Sequence, residues 1–278
     1  MAGLAFNDSL RTLAPLYLVL TIKFLIESFL YIQKDKSPGR KAQIGVLILV
    51  FIHFTIKILI LNGIDIGCGG VKYLNGVIIW YLAFIGYYAL QYVKLYALMK
   101  YAYPTSGRAV KSIIVFINVF YGAMVIGYAV TSVILPDCMI HYEGTNYYSA
   151  GFAVIETGIV VFNILVYIKL RKYKGNRWLK MQKKFLQSSI TAALYFIISG
   201  IIVAVTSSNE VSQTLYMTQM VCVGYYTTYN TNCIMKAASL DPKSSKSVEK
   251  DVLKKTKIEA TKVTAKSINH AEMNAQEQ

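Results

Sequence analysis

Residues 71–99 read VKYLNGVIIWYLAFIGYYALQYVKLYALM and carry only two charges, Lys72 and Lys94. A hydrocarbon core about 30 Å thick is crossed by about 20 helical residues, so the stretch is long enough to span a bilayer. It lacks the strict alternation of barrel strands. Instead Trp80, Phe84, Tyr87, Gln91 and Lys94 recur at steps of four and three, which places them on one helical face. Six more stretches nearly free of charge flank it, at 12–33, 42–61, 112–135, 151–168, 185–206 and 213–235. The whole chain of 278 residues is 55% hydrophobic and 15% charged, with a mean hydropathy of +0.45. A soluble domain carries about 25% charged residues. Backbone groups in lipid are satisfied only by helices or closed barrels. The expected fold is an all-α membrane protein, a seven-transmembrane helix bundle.

The net charge of +15 is a matter of placement. Lys34, Lys36, Arg40 and Lys41 lie in the first connection, and Lys100, Arg108 and Lys111 lie in the third. The fifth, 169–184, holds Lys169, Arg171, Lys172, Lys174, Arg177, Lys180, Lys183 and Lys184. The N-terminus and even connections hold only Arg11 and Lys72, against Asp8, Asp65, Asp137, Glu143 and Glu210. Lys and Arg stay cytoplasmic during insertion, so the odd connections are expected inside and the N-terminus outside. Basicity is then a topology signal, and no nucleic-acid partner is expected. The chain divides into a short extracellular N-terminus (1–11), a transmembrane domain (12–235) and a cytoplasmic tail (236–278). The tail is rich in Lys, Ser and Thr and is expected to be disordered. The first apolar stretch reads as a signal anchor. Asn7-Asp8-Ser9 is a glycosylation sequon on the outer side, with Asn7 as acceptor.

Four cysteines occur. Cys222 and Cys233 fall in the seventh span, where a thiol acts as a small hydrophobe. Cys68 and Cys138 fall on the oxidising outer side, where a disulfide between them is expected. Two free thiols or an intermolecular bond are the alternatives. Ionisable groups inside spans are costly and face the bundle or water. Lys23 and Glu27 are four apart and are expected to neutralise each other. His53 and Lys57 repeat the spacing, with the Lys57 ammonium reaching toward water at the helix end. Glu156 has no basic residue within four positions and needs a partner helix, a proton or a cationic ligand.

No Gly-rich phosphate loop, metal-ligand cluster or nucleophile–base spacing occurs, so no enzyme, cofactor or metal site is expected. The seventh span has no lysine for a retinal Schiff base. Of the five prolines only Pro15 lies well inside a span, and the halves are dissimilar, unlike repeat-built sugar transporters.

The seven spans, basic third inner loop and Ser/Thr-rich tail, with cysteines at 68 and 138, resemble a G-protein-coupled receptor. Leu135-Pro136-Asp137-Cys138, followed by Tyr142 and Tyr147, is similar to the second outer loop of nematode serpentine chemoreceptors of class x and relatives. Lys183-Lys184-Phe185-Leu186-Gln187-Ser188, entering the sixth span, is similar to theirs as well. The resemblance implies a plasma-membrane chemoreceptor that binds a small extracellular ligand and signals through a heterotrimeric G protein. It implies a pocket between the third, fifth, sixth and seventh helices, with Trp80, Phe84, Tyr87, Glu156 and Gln219 as candidate lining. It also implies a G-protein surface at Lys94, Arg108, Arg171 and Lys172. The chain departs from the superfamily at three places. Tyr96-Ala97-Leu98 stands where an acidic-Arg-aromatic triplet closes the third helix. Tyr229-Asn230-Thr231-Asn232 lacks the proline of an Asn-Pro-x-x-Tyr motif, and the first span lacks a Gly-Asn pair. A transporter or channel using Glu156, Lys94 and the Lys23/Glu27 pair, or a degenerate receptor with an accessory role, are the alternatives.

Overall fold

The computed structural model describes residues 2–32, 38–64, 69–134, 140–142, 145–171, 177–205 and 209–240. They form α1 (Ala2–Ile32), α2 (Pro38–Leu61) and α3 (Gly70–Tyr73), which passes through a π-helical turn (Leu74–Ile79) into α4 (Trp80–Ala102). A 3₁₀ turn (Pro104–Ser106) leads into α5 (Gly107–Thr131). A hairpin of β1 (Ser132–Ile134) and β2 (Ile140–Tyr142) precedes α6 (Thr145–Arg171), α7 (Arg177–Val205) and α8 (Asn209–Leu240). The strands pair antiparallel, with Ser132 opposite Tyr142 and Ile134 opposite Ile140.

Local chemistry sets the boundaries. Pro38 opens α2, where its missing N–H would have no helical partner. Gly63 (φ 75°) and Gly69 (φ 64°) take the left-handed backbone that separates α2 from α3. Tyr103 leaves the helical region one residue before Pro104, whose ring disfavours helix in the residue it follows.

Six helical segments are long and apolar enough to cross a membrane: Leu10–Ile32, Pro38–Leu61, Gly70–Lys100, Gly107–Thr131, Tyr147–Lys169 and Gln182–Val203. Each overlaps one of the first six apolar stretches. α8 covers the seventh stretch but falls below that hydropathy, because it carries Gln213, Thr218, Gln219, Asn230, Thr231 and Asn232. The bundle's surface is apolar, with Val19, Phe29, Phe116, Val119, Ile168 and Ile198 at least half exposed. Its interior buries Gln43, Gln91, Glu156, Asn163, Gln219 and Asn230. Water would drive an apolar belt of this kind into aggregation, whereas lipid solvates it and leaves polar side chains to join helices internally. The fold is that of a multi-pass helical membrane protein.

α4 sits at the centre, packed against α2, α5, α6 and α8. Around it α1 meets α2 and α8, α5 meets α6, and α7 meets α6 and α8. In the third span 61% of the most apolar window is buried, against 22–44% in the other five. Glycines allow the closest approaches: a Cβ on Gly86 would lie 2.6 Å from Val46 Cγ2, and one on Gly151 would lie 2.8 Å from Met124 Cβ.

Helix extends past the apolar stretches. α1 begins at Ala2, within the segment expected as an outer tail, and α7 begins at Arg177, inside the expected basic loop. α8 continues through Lys236 to Leu240, and the rest of the expected tail lies outside the described residues. Cys68, Cys138 and the side chain of Asn7 lie outside them too.

Candidate functional site

The third span's aromatic face meets four other helices. Trp80 packs edge-on against His53 of α2 at 5.5 Å and Tyr216 of α8 at 5.5 Å, and lies 5.1 Å from Phe84. Phe84 meets Phe152 of α6 at 5.9 Å and Phe196 of α7 at 5.7 Å. Tyr87 meets Phe196 at 5.8 Å. Trp80, Phe84 and Tyr87 are therefore brought together, and all three are buried. The π-helical turn just before them leaves the Asn75 carbonyl oxygen 3.4 Å from His53 Nδ1. π turns inside helices recur at functional sites.

A second tyrosine row, which the sequence reading passed over, lies on another face of the same span. Tyr81 packs against Tyr128 of α5 at 5.4 Å and Tyr148 of α6 at 6.0 Å. Tyr88 packs edge-on against Tyr121 of α5 at 5.1 Å. The Tyr92 hydroxyl donates to the Ile155 carbonyl of α6 at 2.8 Å. Steps of seven and four separate Tyr81, Tyr88 and Tyr92, so the row was legible as helical periodicity.

Glu156, fully buried on α6, faces this second row. The Tyr88 hydroxyl donates a hydrogen bond to its Oε1. Its Oε2 has no hydrogen-bond partner among the described residues, and neither have the buried hydroxyls of Tyr121 and Tyr148. Of the expected compensations, the structure supplies a hydrogen bond from a neighbouring helix and leaves one carboxylate oxygen unused.

Gln219, buried on α8, lies apart from Glu156 in its bonding. Its Nε2 donates to Ser199 Oγ of α7 at 2.6 Å, and its Oε1 has no partner among the described residues. α8 also bonds α1 through Tyr17 and Thr218 at 3.3 Å. It bonds α2 through Lys57 Nζ, which donates to Gln213 Oε1 at 2.9 Å. Lys57 is half-buried near the end of α2, and its ammonium finds an oxygen of a neighbouring helix there. Lys23 is exposed and Glu27 half-buried on α1.

At the basic-loop end, the Tyr229–Asn232 segment of α8 ties three helices together. Asn230 Nδ2 donates to Gln91 Oε1 of α4 at 3.3 Å, and Lys94 Nζ of α4 donates to Thr231 Oγ1 at 2.8 Å. Arg40 of α2 is 1% exposed. Its Nη1 donates to Gln43 Oε1 and to Asn232 Oδ1, both at 2.8 Å, and its guanidinium lies 5.2 Å from the Tyr31 ring centroid. Gln43 Nε2 continues the chain to Ser28 Oγ of α1 at 2.7 Å. Sequence reasoning counted Arg40 as one loop charge among many, and nothing local distinguishes it from Lys41, which is exposed. Arg108 is exposed in the first turn of α5. Arg171 ends α6, and its side chain, like Lys172, lies outside the described residues.

Among the described residues no group of His, Cys, Asp and Glu is arranged to hold a metal ion. No family model matches the chain, and no curated protein matches its sequence.

Proposed function

We propose that this chain is a seven-helix chemoreceptor of the plasma membrane, with its N-terminus outside and its C-terminus cytoplasmic. It binds a small molecule from the outer side and signals through a heterotrimeric G protein. One observation carries the reading: a single buried helix, α4, holds an aromatic cluster beside a carboxylate along one half and is hydrogen-bonded to α8 along the other. A ligand that favours one arrangement of the aromatic half acts on the polar half through the same rigid element, in proportion to its different affinity for the two arrangements.

The polar residues of α8 support a seventh crossing. They lower its hydropathy, yet Gln213, Thr218, Gln219, Asn230, Thr231 and Asn232 all bond to other helices rather than facing outward. The helix is 32 residues long, about 48 Å at 1.5 Å per residue. The lysine and arginine distribution supports the orientation. A Cys68–Cys138 disulfide and a glycan on Asn7 belong to the same outer-face reading.

Nucleotide exchange on a panel of purified heterotrimeric G proteins, in membranes with and without this protein, tests the proposal. Exchange above the empty-membrane control is the expected result, reduced by Arg108→Ala. Exchange no faster than the control on every member would end the receptor reading and direct attention to substrate uptake.

A further inference from the structure

We propose that Glu156, with the aromatic rings around it, is the recognition site for a small organic ammonium ion. The inference rests on the receptor reading only in taking the ligand from the outer side.

The carboxylate has more acceptor capacity than the protein uses. An ionised carboxylate accepts about four hydrogen bonds, whereas Glu156 receives one, from Tyr88. Its Oε2 and the hydroxyl oxygens of Tyr121 and Tyr148 are buried without a partner among the described residues. Buried polar groups are bonded in the great majority of cases, so three unused oxygens in one region need an explanation. Among the described residues no cation supplies it. Lys57 donates to Gln213, Lys94 to Thr231, and Arg40 to Gln43 and Asn232, all away from Glu156.

The walls narrow the ligand's chemistry. Phe84, Tyr88, Tyr121, Tyr148, Phe152 and Phe196 come from four helices, with neighbouring ring centroids 5.1–6.3 Å apart. Ring faces attract ammonium ions, most strongly where water is excluded. A carboxylate adds a charge-assisted hydrogen bond or a contact ion pair. A hard divalent metal needs six or more oxygen ligands, and this site offers one carboxylate and three hydroxyls. A buried carboxyl without a countercharge takes up a proton, and an ammonium ion that displaces this proton gains an ion pair that a neutral ligand does not. An ammonium carrying a few carbons satisfies both the oxygens and the rings. The rings touch one another in this structure, so the ligand selects an arrangement in which they part.

The test uses the full chain purified in detergent, without a G protein, and follows its melting temperature against concentration of methylammonium, tetramethylammonium and phenethylammonium chlorides. Sodium chloride controls for salt, and tert-butanol and 2-phenylethanol control for shape. At least one ammonium should raise the melting temperature saturably, with no rise from its neutral counterpart. Glu156→Gln should weaken that binding about tenfold or more. Should Glu156→Gln not fold, Glu156→Asp, which retracts the charge by one methylene, and Tyr121→Phe carry the comparison, each with weakened binding. No stabilisation of the wild type by any of the three ions, or equal stabilisation of wild type and variants, overturns the proposal and leaves Glu156 a packing group. Because no G protein is present, that failure leaves the nucleotide-exchange result standing, and a failure of exchange leaves the binding result standing.

Discussion

Replacing Gly151 by alanine tests how closely α5 and α6 approach beside the carboxylate. A Cβ at 151 would lie 2.8 Å from Met124 Cβ, 3.3 Å from Met124 Cγ and 3.4 Å from Tyr121 Cδ2. Met124 Cβ is fixed to the backbone, so no rotamer removes it and the helices must separate by several tenths of an ångström. Overpacking of this kind costs about 1–3 kcal/mol. The better helix propensity of alanine offsets about 0.5–1 kcal/mol of it, leaving a net effect between about zero and a loss of about 2.5 kcal/mol. Gly122 on α5 is the control, because nothing lies within 4 Å of its Cβ position. Gly122→Ala keeps the propensity gain without the clash and should add about 0.5–1 kcal/mol. At about 2–4 °C per kcal/mol for a chain of this order, the two variants should melt between about 2 and 12 °C apart. Size-exclusion chromatography of heated, detergent-solubilised samples reads this directly. Melting points that move in the same direction would show that α5 and α6 are not in the contact described. Gly151→Ala also displaces Tyr121, so it should weaken stabilisation by ammonium ions, whereas Gly122→Ala should not.

Asn232→Ala removes an acceptor from the buried Arg40 guanidinium, and bonds to charged groups contribute about 1.5–3 kcal/mol. A thermal double-mutant cycle with Arg40→Met should give coupling of at least about 1 kcal/mol; strict additivity would show that the two do not act together. Ser199→Ala strands Gln219 Nε2 and should cost about 0.6–1.7 kcal/mol. Adding Gln219→Met removes the stranded group, so a double variant no more stable than Ser199→Ala contradicts the pairing. Protease protection of terminal tags in sealed membranes should place the two ends on opposite sides; tags on the same side would mean an even number of crossings. Mass spectrometry of the non-reduced protein should find Cys68 and Cys138 in one disulfide-linked pair, and two free thiols would remove that bridge.

Length and hydropathy made six of the helices legible, because lipid solvation selects on those properties alone. They also placed the burial of Trp80, Phe84 and Tyr87, whose spacing marks one face. They did not rank the faces of a helix that is covered over most of its circumference and exposes the stripe of Leu82, Ile85 and Val93. α4 is packed against four neighbours, so Tyr81, Tyr88 and Tyr92 are as buried as the stripe that was singled out. Glu156 stood out because its own helix offers no countercharge, but its partner is 68 positions away. Arg40 was invisible for a different reason. Its acceptor Asn232 lies 192 positions along the chain, and in a row of basic residues composition cannot say which one turns inward.

α8 shows why hydropathy alone does not decide the place of a helix of this kind. Apolarity measures how well a side chain dissolves in lipid, and a helix covered by neighbours presents few side chains to lipid. α8 contacts α1, α2, α4 and α7, and its polar residues are the other halves of hydrogen bonds begun on those helices. Gln91 and Arg40 are buried and Lys57 and Lys94 half-buried, and each would lose a hydrogen-bond partner if α8 carried leucines instead. Burying a polar group without a partner costs about 1–3 kcal/mol, so the low hydropathy of α8 and the polar residues facing it depend on each other. The same dependence couples the two halves of α4. Any motion of α4 that opens the rings around Glu156 must shift Gln91 and Lys94 against Asn230 and Thr231, since one continuous helix carries both sets.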